Sequence, residues 1–124
     1  MDSLKSKIKA YKAKVAVIGL GYVGLPLCIR FVEKKFTTIG FDIDRNKIEK
    51  LNAGESYINH ISNQSIIFSI KNEFEASADF KKIQDVDVII ICVPTPLDSK
   101  NEPDLSYIIN TLELIEPYLI ILIH

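Results

Sequence analysis

An α/β fold, a single domain built on a doubly wound parallel sheet, is predicted by three features of this 124-residue chain. Short β-branched apolar runs alternate with longer segments of helical character, and one pass along the chain reads β-α-β-α. The first run, Val15-Ala16-Val17-Ile18, is apolar at every position, as a strand covered on both faces requires. A glycine-rich hexad, Gly19 to Gly24, then stands between that run and the first helical segment.

Each element follows in order. Residues 1–13 form a basic extension, in which Lys5, Lys7, Lys9 and Lys12 outnumber a single acid, Asp2. Leu4, Ile8 and Tyr11 are spaced for one helix face, so the segment reads as a short amphipathic leader, solvated rather than membrane-bound. Residues 14–124 make up the domain. After the first strand, residues 23–35 carry charge only at Arg30 and Glu33 to Lys35, which predicts a largely buried helix. Pro26 falls in its first turn, where a missing amide costs little. A second strand covers residues 37–41 and ends on Asp42. Residues 45–51 form a second helix with Ile48 and Leu51 turned inward and Gly54 as its stop signal. An irregular loop, residues 55–63, leads to a helix over 64–71 and a short strand at 75–77. Residues 86–93 are the clearest strand after the first, and Pro94-Thr95-Pro96 ends it because proline cannot continue a ladder. Asp104 caps a helix running from 105 to about 116, Pro117 stops it, and residues 119–123 make one more strand.

Composition excludes several function classes. The chain is 48% hydrophobic and 25% charged with a net charge of −1, so no overall bias points to nucleic acid or a membrane surface. The apolar runs are far shorter than the roughly 20 residues that span a bilayer. No signal peptide is visible, and a cytoplasmic location is expected. Cys28 and Cys92 lie inside apolar segments and read as reduced packing thiols. With His60 and His124 they have no metal-ligand spacing, so no metal is expected.

Gly19-Leu20-Gly21-Tyr22-Val23-Gly24 fits G-x-G-x-x-G, a pattern that is weak alone. Its context is specific: a strand before it, a helix and a second strand after it, and an acid closing that strand. Asp42 follows Gly24 by eighteen positions, near the spacing of about 20 expected of a Rossmann fold. The chemistry needs each piece. Gly19 permits the sharp turn, Gly21 lets the backbone approach a pyrophosphate, and Gly24 lets helix and strand pack closely. The helix N-terminus offers free amides and partial positive charge to the diphosphate. Asp42 can accept hydrogen bonds from both ribose hydroxyls and repels a 2′-phosphate, which favours NAD over NADP. FAD and S-adenosylmethionine use related folds, and the glycine pattern alone does not exclude them. Arg45 and Lys47 lie just beyond Asp42 and could pair with a 2′-phosphate; more simply, Lys47 closes over the adenine-side ribose or phosphate. Val93 and Thr95 lie at the carboxyl end of the fourth strand, where such sheets present ligand-facing residues, although the Thr95 hydroxyl has a second reading as the cap of the next turn. Ser56, Tyr57 and the stretch from Glu102 to Tyr107 are polar enough to contact a substrate.

Five segments occur in order: VAVIGLGYVGLPL (15–27), GFDID (40–44), GESYINHI (54–61), ICVPTPL (91–97) and EPDLSYI (102–108). Together they resemble the N-terminal domain of the UDP-glucose/GDP-mannose dehydrogenase family, most closely the branch acting on UDP-N-acetylglucosamine and its mannosamine and galactosamine relatives. The resemblance implies an NAD-dependent oxidation of a sugar's C6 alcohol to the carboxylate, by two hydride transfers to two NAD, in the making of surface polysaccharides. It implies that Gly19, Leu20, Gly21, Tyr22 and Val23 hold the pyrophosphate, that Asp42 and Lys47 hold the adenosine ribose, and that Thr95 lies near the nicotinamide.

The departures also carry expectations. The family's catalytic cysteine and lysine belong to later segments, and neither Cys28 nor Cys92 matches the nucleophile's motif. No catalytic residue is therefore assigned to this chain, which is expected to bind NAD without turnover. A UDP-sugar substrate and a homo-oligomer belong to the full-length enzyme. The apolar ending suggests a domain cut short or a disrupted reading frame, leaving an uncovered sheet edge. Two other readings stand beside this one. A non-enzymatic NAD-sensing module shares the length and fingerprint but does not explain SYINHI or EPDLSYI. An inactive remnant would bind NAD weakly or not at all.

Overall fold

The computed structural model describes residues 4–6 and 12–118. Among them the sheet has four strands, β1 (Lys14–Ile18), β2 (Thr37–Phe41), β3 (Phe74–Ser77) and β4 (Val88–Ile91). Their spatial order is β3-β2-β1-β4 and every pair is parallel. Four α-helices connect and flank them: α1 (Gly24–Glu33), α2 (Arg45–Asn52), α3 (Asn63–Lys71) and α4 (Ser106–Ile115). This is the doubly wound arrangement that the βαβ pattern predicts.

β1 shows why its run from Val15 to Ile18 is apolar at every position, while Lys14 at its start is exposed. Val15 and Val17 join one core with Leu25, Cys28 and Val32 of α1, Leu51 of α2 and Ile66 of α3. Ala16 and Ile18 point the other way, into a second core with Phe41, Ile83 and Ile115. Side chains alternate across a strand, so a strand packed on both faces has no position left for a polar residue.

Helix ends are set by local chemistry. Asp44 caps α2 by accepting from the amides of Asn46 and Lys47, and Ser62 caps α3 by accepting from Ser65 N–H. α1 ends at Glu33, two residues before the sequence predicts. The cause is a reversal in which Phe36 N–H donates to Phe31 O at 3.0 Å and Lys35 N–H to Val32 O at 2.9 Å. Lys35 takes a left-handed φ of 71° to make it, and the Phe31 and Phe36 rings meet edge-on with centroids 6.1 Å apart.

β4 departs from expectation in length and burial. Its ladder pairs Val88 to Ile91 with β1, and single backbone bonds extend it, from Asp87 N–H to Lys14 O and from Cys92 N–H to Ile18 O. All four of its residues are half-buried, because no strand among the described residues covers its outer edge. A 3-10 helix over Phe80–Asp85, which the sequence pattern did not reveal, brings Ile83 into the second core. Residues 4–6 are helical, whereas Ile8 and Tyr11 of the expected leader helix lie outside the described residues, as does the strand expected at 119–123.

Candidate functional site

A cleft of about 650 Å³ opens at the carboxyl ends of β1 and β4. It is lined by Gly19, Leu20, Gly21, Tyr22 and Val23 from the glycine turn, Asp42 from the end of β2, Lys47 from α2, and Val93 and Thr95 from the loop after β4. Every residue singled out as cofactor-binding from sequence lines it, except Gly24. A depression of about 480 Å³ at the sheet's other end, between Lys14, Glu73 and Asp85, holds none of them. Polar groups there are engaged with one another: Thr37 donates to Glu73, and Lys82 pairs with Glu75 at 2.9 Å. Ligands of such sheets enter at the carboxyl ends, which selects the former cleft.

The three glycines serve different ends. Gly19 has φ 99°, and a Cβ there would lie 2.6 Å from the carbonyl oxygen of Cys92. A Cβ on Gly24 would lie 1.6 Å from Gly19 O, so α1 sits against the turn only because Gly24 has no side chain. Gly21 would meet no atom within 4 Å. Nothing in the protein demands a glycine at this position, and its bare face borders the cleft.

α1 opens from this turn without a side-chain cap, unlike α2 and α3, which are capped by Asp44 and Ser62, and no acid stands in its first turn. Leu25 N–H donates to Gly21 O and Pro26 has no amide hydrogen, so the amides ahead of them, in the glycine turn, are the ones left without an intrahelical partner, and the helix dipole makes that end partly positive. This end is chemically suited to an anion.

Asp42 is half-buried and already engaged. Its Oδ2 accepts from Leu20 N–H and its Oδ1 from Asp44 N–H, each at 2.9 Å. A carboxylate has about four lone-pair directions, so two remain for hydroxyl donors. The ammonium of Lys47 lies 5.6 Å from the centre of the Tyr57 ring. Thr95 is exposed and Val93 half-buried at the rim.

Several contributors were not legible in the sequence. Ile43 and Phe80 line the cleft, and α4 supplies Tyr107, Asn110, Thr111 and Leu114 as its far wall. Tyr107, the last residue of the polar stretch that starts at Glu102, is half-exposed beside the cleft. Tyr57 does not line the cleft: its hydroxyl donates to Leu20 O. Ser56 closes its own turn, its Oγ donating to Ile58 O and accepting from Ile58 N–H. His60 is exposed in that loop.

Neither thiol is primed for chemistry. Burial pushes the Cys28 thiol up, with a smaller push from Cys92, and burial raises Cys92 as well. A thiol held protonated is a poor nucleophile. Cys28 is a packing residue as expected, whereas Cys92 lies just past β4 and reaches the cleft wall. Among the described residues no cluster of His, Cys, Asp and Glu could hold a metal ion, and no helix is long and apolar enough to cross a membrane.

Comparison with known proteins agrees with this geometry. The NAD binding domain of the UDP-glucose/GDP-mannose dehydrogenase family matches residues 13–120. A UDP-N-acetyl-D-glucosamine 6-dehydrogenase of Pseudomonas aeruginosa is 36% identical over 102 residues, covering 82% of this chain and 24% of that protein. A UDP-N-acetyl-D-mannosamine dehydrogenase of Escherichia coli K12 is 32% identical over 107 residues, covering 86% of this chain and 25% of that protein. Among solved structures, a UDP-D-ManNAc dehydrogenase of Pyrococcus horikoshii superposes with a TM-score of 0.78 at 30% identity, over 86% of this chain and 26% of that one. The chain thus spans about a quarter of the length of the relatives it matches.

Proposed function

Because the chain belongs to the UDP-glucose/GDP-mannose dehydrogenase family and carries its NAD binding domain, we propose that the cleft at the glycine turn is where NAD is held. The observation that carries this reading is Gly21, a glycine with open space where its Cβ would be, beside an uncapped helix N-terminus. The amides of residues 21–24 face the pyrophosphate, with Gly19 and Gly24 shaping the turn. Asp42 and Lys47 hold the adenosine ribose, and Val93 and Thr95 border the nicotinamide half. Residues 14–124 form the binding unit and residues 1–13 lead into it.

NAD supplies the oxidising equivalents when bound; the residues of this chain bind and orient it. In the full-length protein the oxidised group is the C6 alcohol of a UDP-N-acetylhexosamine, with UDP-N-acetylglucosamine the first candidate. Support comes from the three relatives named above, all of which carry N-acetylhexosamine names. On this reading these 124 residues alone bind NAD without turnover, since neither Cys28 nor Cys92 matches the family's nucleophile motif.

Titration calorimetry with NAD and NADP tests the cofactor reading. NAD should bind at least tenfold more tightly, because the carboxylate of Asp42 opposes a 2′-phosphate at close range. Equal or tighter binding of NADP would overturn it. An absorbance assay with NAD and UDP-N-acetylglucosamine should show no NADH, and steady production would refute the claim that this chain alone does not turn over.

A further inference from the structure

The main chain of Leu20 is gripped from both sides by distant side chains. Its N–H donates to Asp42 Oδ2 and its carbonyl accepts from the Tyr57 hydroxyl, 37 positions along the chain. The carbonyl of Leu20 and the N–H of Gly21 belong to one planar trans peptide unit and point in opposite directions. Holding the carbonyl from the Tyr57 side therefore fixes where the Gly21 amide aims. Burial, together with the carboxylates of Asp42 and Asp44, keeps the Tyr57 hydroxyl protonated and so a donor. The same ring lies beneath the Lys47 ammonium.

We propose that Tyr57 is a positioning residue for the dinucleotide: its hydroxyl aims the Gly21 amide at the pyrophosphate, and its ring holds Lys47 at the adenosine end. The inference rests on the reading of the cleft as the NAD site. Two independent observations meet at this one side chain, a hydrogen bond to the turn and a cation over the ring. The link lies in the loop after α2, so the geometry of the glycine turn depends on a segment outside the βαβ unit.

Tyr57→Phe removes the hydroxyl and keeps the ring and its packing; Tyr57→Leu removes both. In the unliganded 124-residue chain, amide hydrogen exchange at Leu20, whose N–H is held by Asp42, should accelerate about tenfold in Tyr57→Phe, while Val17 in β1 is unchanged. Calorimetry should show NAD binding weakened about five- to tenfold by Tyr57→Phe, with the melting temperature near that of the parent. Tyr57→Leu should weaken it further. Lys47→Met should then cost less affinity on the Tyr57→Leu background than on the parent, because the two side chains act as one unit.

Exchange at the parent rate in Tyr57→Phe, in a chain that binds NAD, would overturn the role of Tyr57 and leave the NAD site standing. Faster exchange in Tyr57→Phe, with a parent chain that binds no NAD, would instead overturn the NAD reading, and the dinucleotide role of Tyr57 with it. Uniformly faster exchange, Val17 included, would reduce Tyr57 to a general packing residue.

Discussion

A Cβ on Gly24 would stand 1.6 Å from the carbonyl oxygen of Gly19, so the first helix and the turn that precedes it share one space. The same hexad contains Gly21, where a Cβ would meet nothing. Folding and ligand binding are therefore separable within six residues. Gly24→Ala should destabilise the chain by about 3 kcal/mol or more, because the obstacle is backbone that cannot rotate aside. Gly21→Ala should change stability by less than about 1 kcal/mol and yet weaken NAD at least tenfold. Urea denaturation and calorimetry on the two variants check this. An unfolded Gly21→Ala, or one that binds NAD normally, would contradict the assignment.

Lys35 offers a test in the opposite direction. It holds a left-handed φ of 71° at the end of α1, is exposed, and lies outside the cleft. Left-handed backbone costs a residue with a Cβ roughly 1–2 kcal/mol, partly offset by the greater freedom that glycine has in the unfolded chain. Lys35→Gly should stabilise the fold by about 0.5–1 kcal/mol without altering NAD affinity. A loss of stability on denaturation would show that Lys35 contributes a contact that outweighs its backbone strain.

The start of α4 should respond to acid. Asp104 is held below the usual carboxylate range by hydrogen bonds from the Ser106 side chain and backbone, the latter at 2.9 Å. A carboxylate whose pKa is lower folded than unfolded contributes stability that is complete above the unfolded value and lost as pH falls through the folded one. Amide protection at Ser106 should thus fall on acidification, after correction for intrinsic exchange. In Asp104→Asn, which keeps an acceptor oxygen and has no charge to lose, that added pH dependence should vanish.

Much of this architecture was written in local sequence, and the exceptions share a cause. β2 falls on the expected residues 37–41, because a β-branched run bounded by a turn and an acid leaves little choice. α2 starts where Asp44 caps it, and Ile48 and Leu51 face inward as their spacing requires. The cleft collected Asp42, Lys47 and Thr95 because sheet topology brings the carboxyl ends of strands together. What escaped was tertiary. The left-handed turn at Lys35 carries no glycine to announce it, and the 3-10 helix over Phe80–Asp85 is too short for a period. The polarity of Ser56 and Tyr57 is visible in sequence, but it cannot reveal that Tyr57 reaches a carbonyl 37 positions away. The half-burial of β4 depends on its place at the sheet edge, which its own apolar run does not encode.

The strand order also sets a timetable. β1 leaves the ribosome first, yet its second neighbour, β4, is 73 positions later, as the Lys14–Asp87 contact measures. β2 and then β3 can add to one side while the other edge of Val15 to Ile18 waits with unpaired amides and carbonyls. Such distant pairing is slow to form, and the waiting edge is a template for wrong partners. Nascent chains halted before residue 88 should be digested readily by protease, and chains released beyond residue 118 should resist. The strand at the centre of the cleft is thus the earliest part of the sheet to be made and the last to be enclosed.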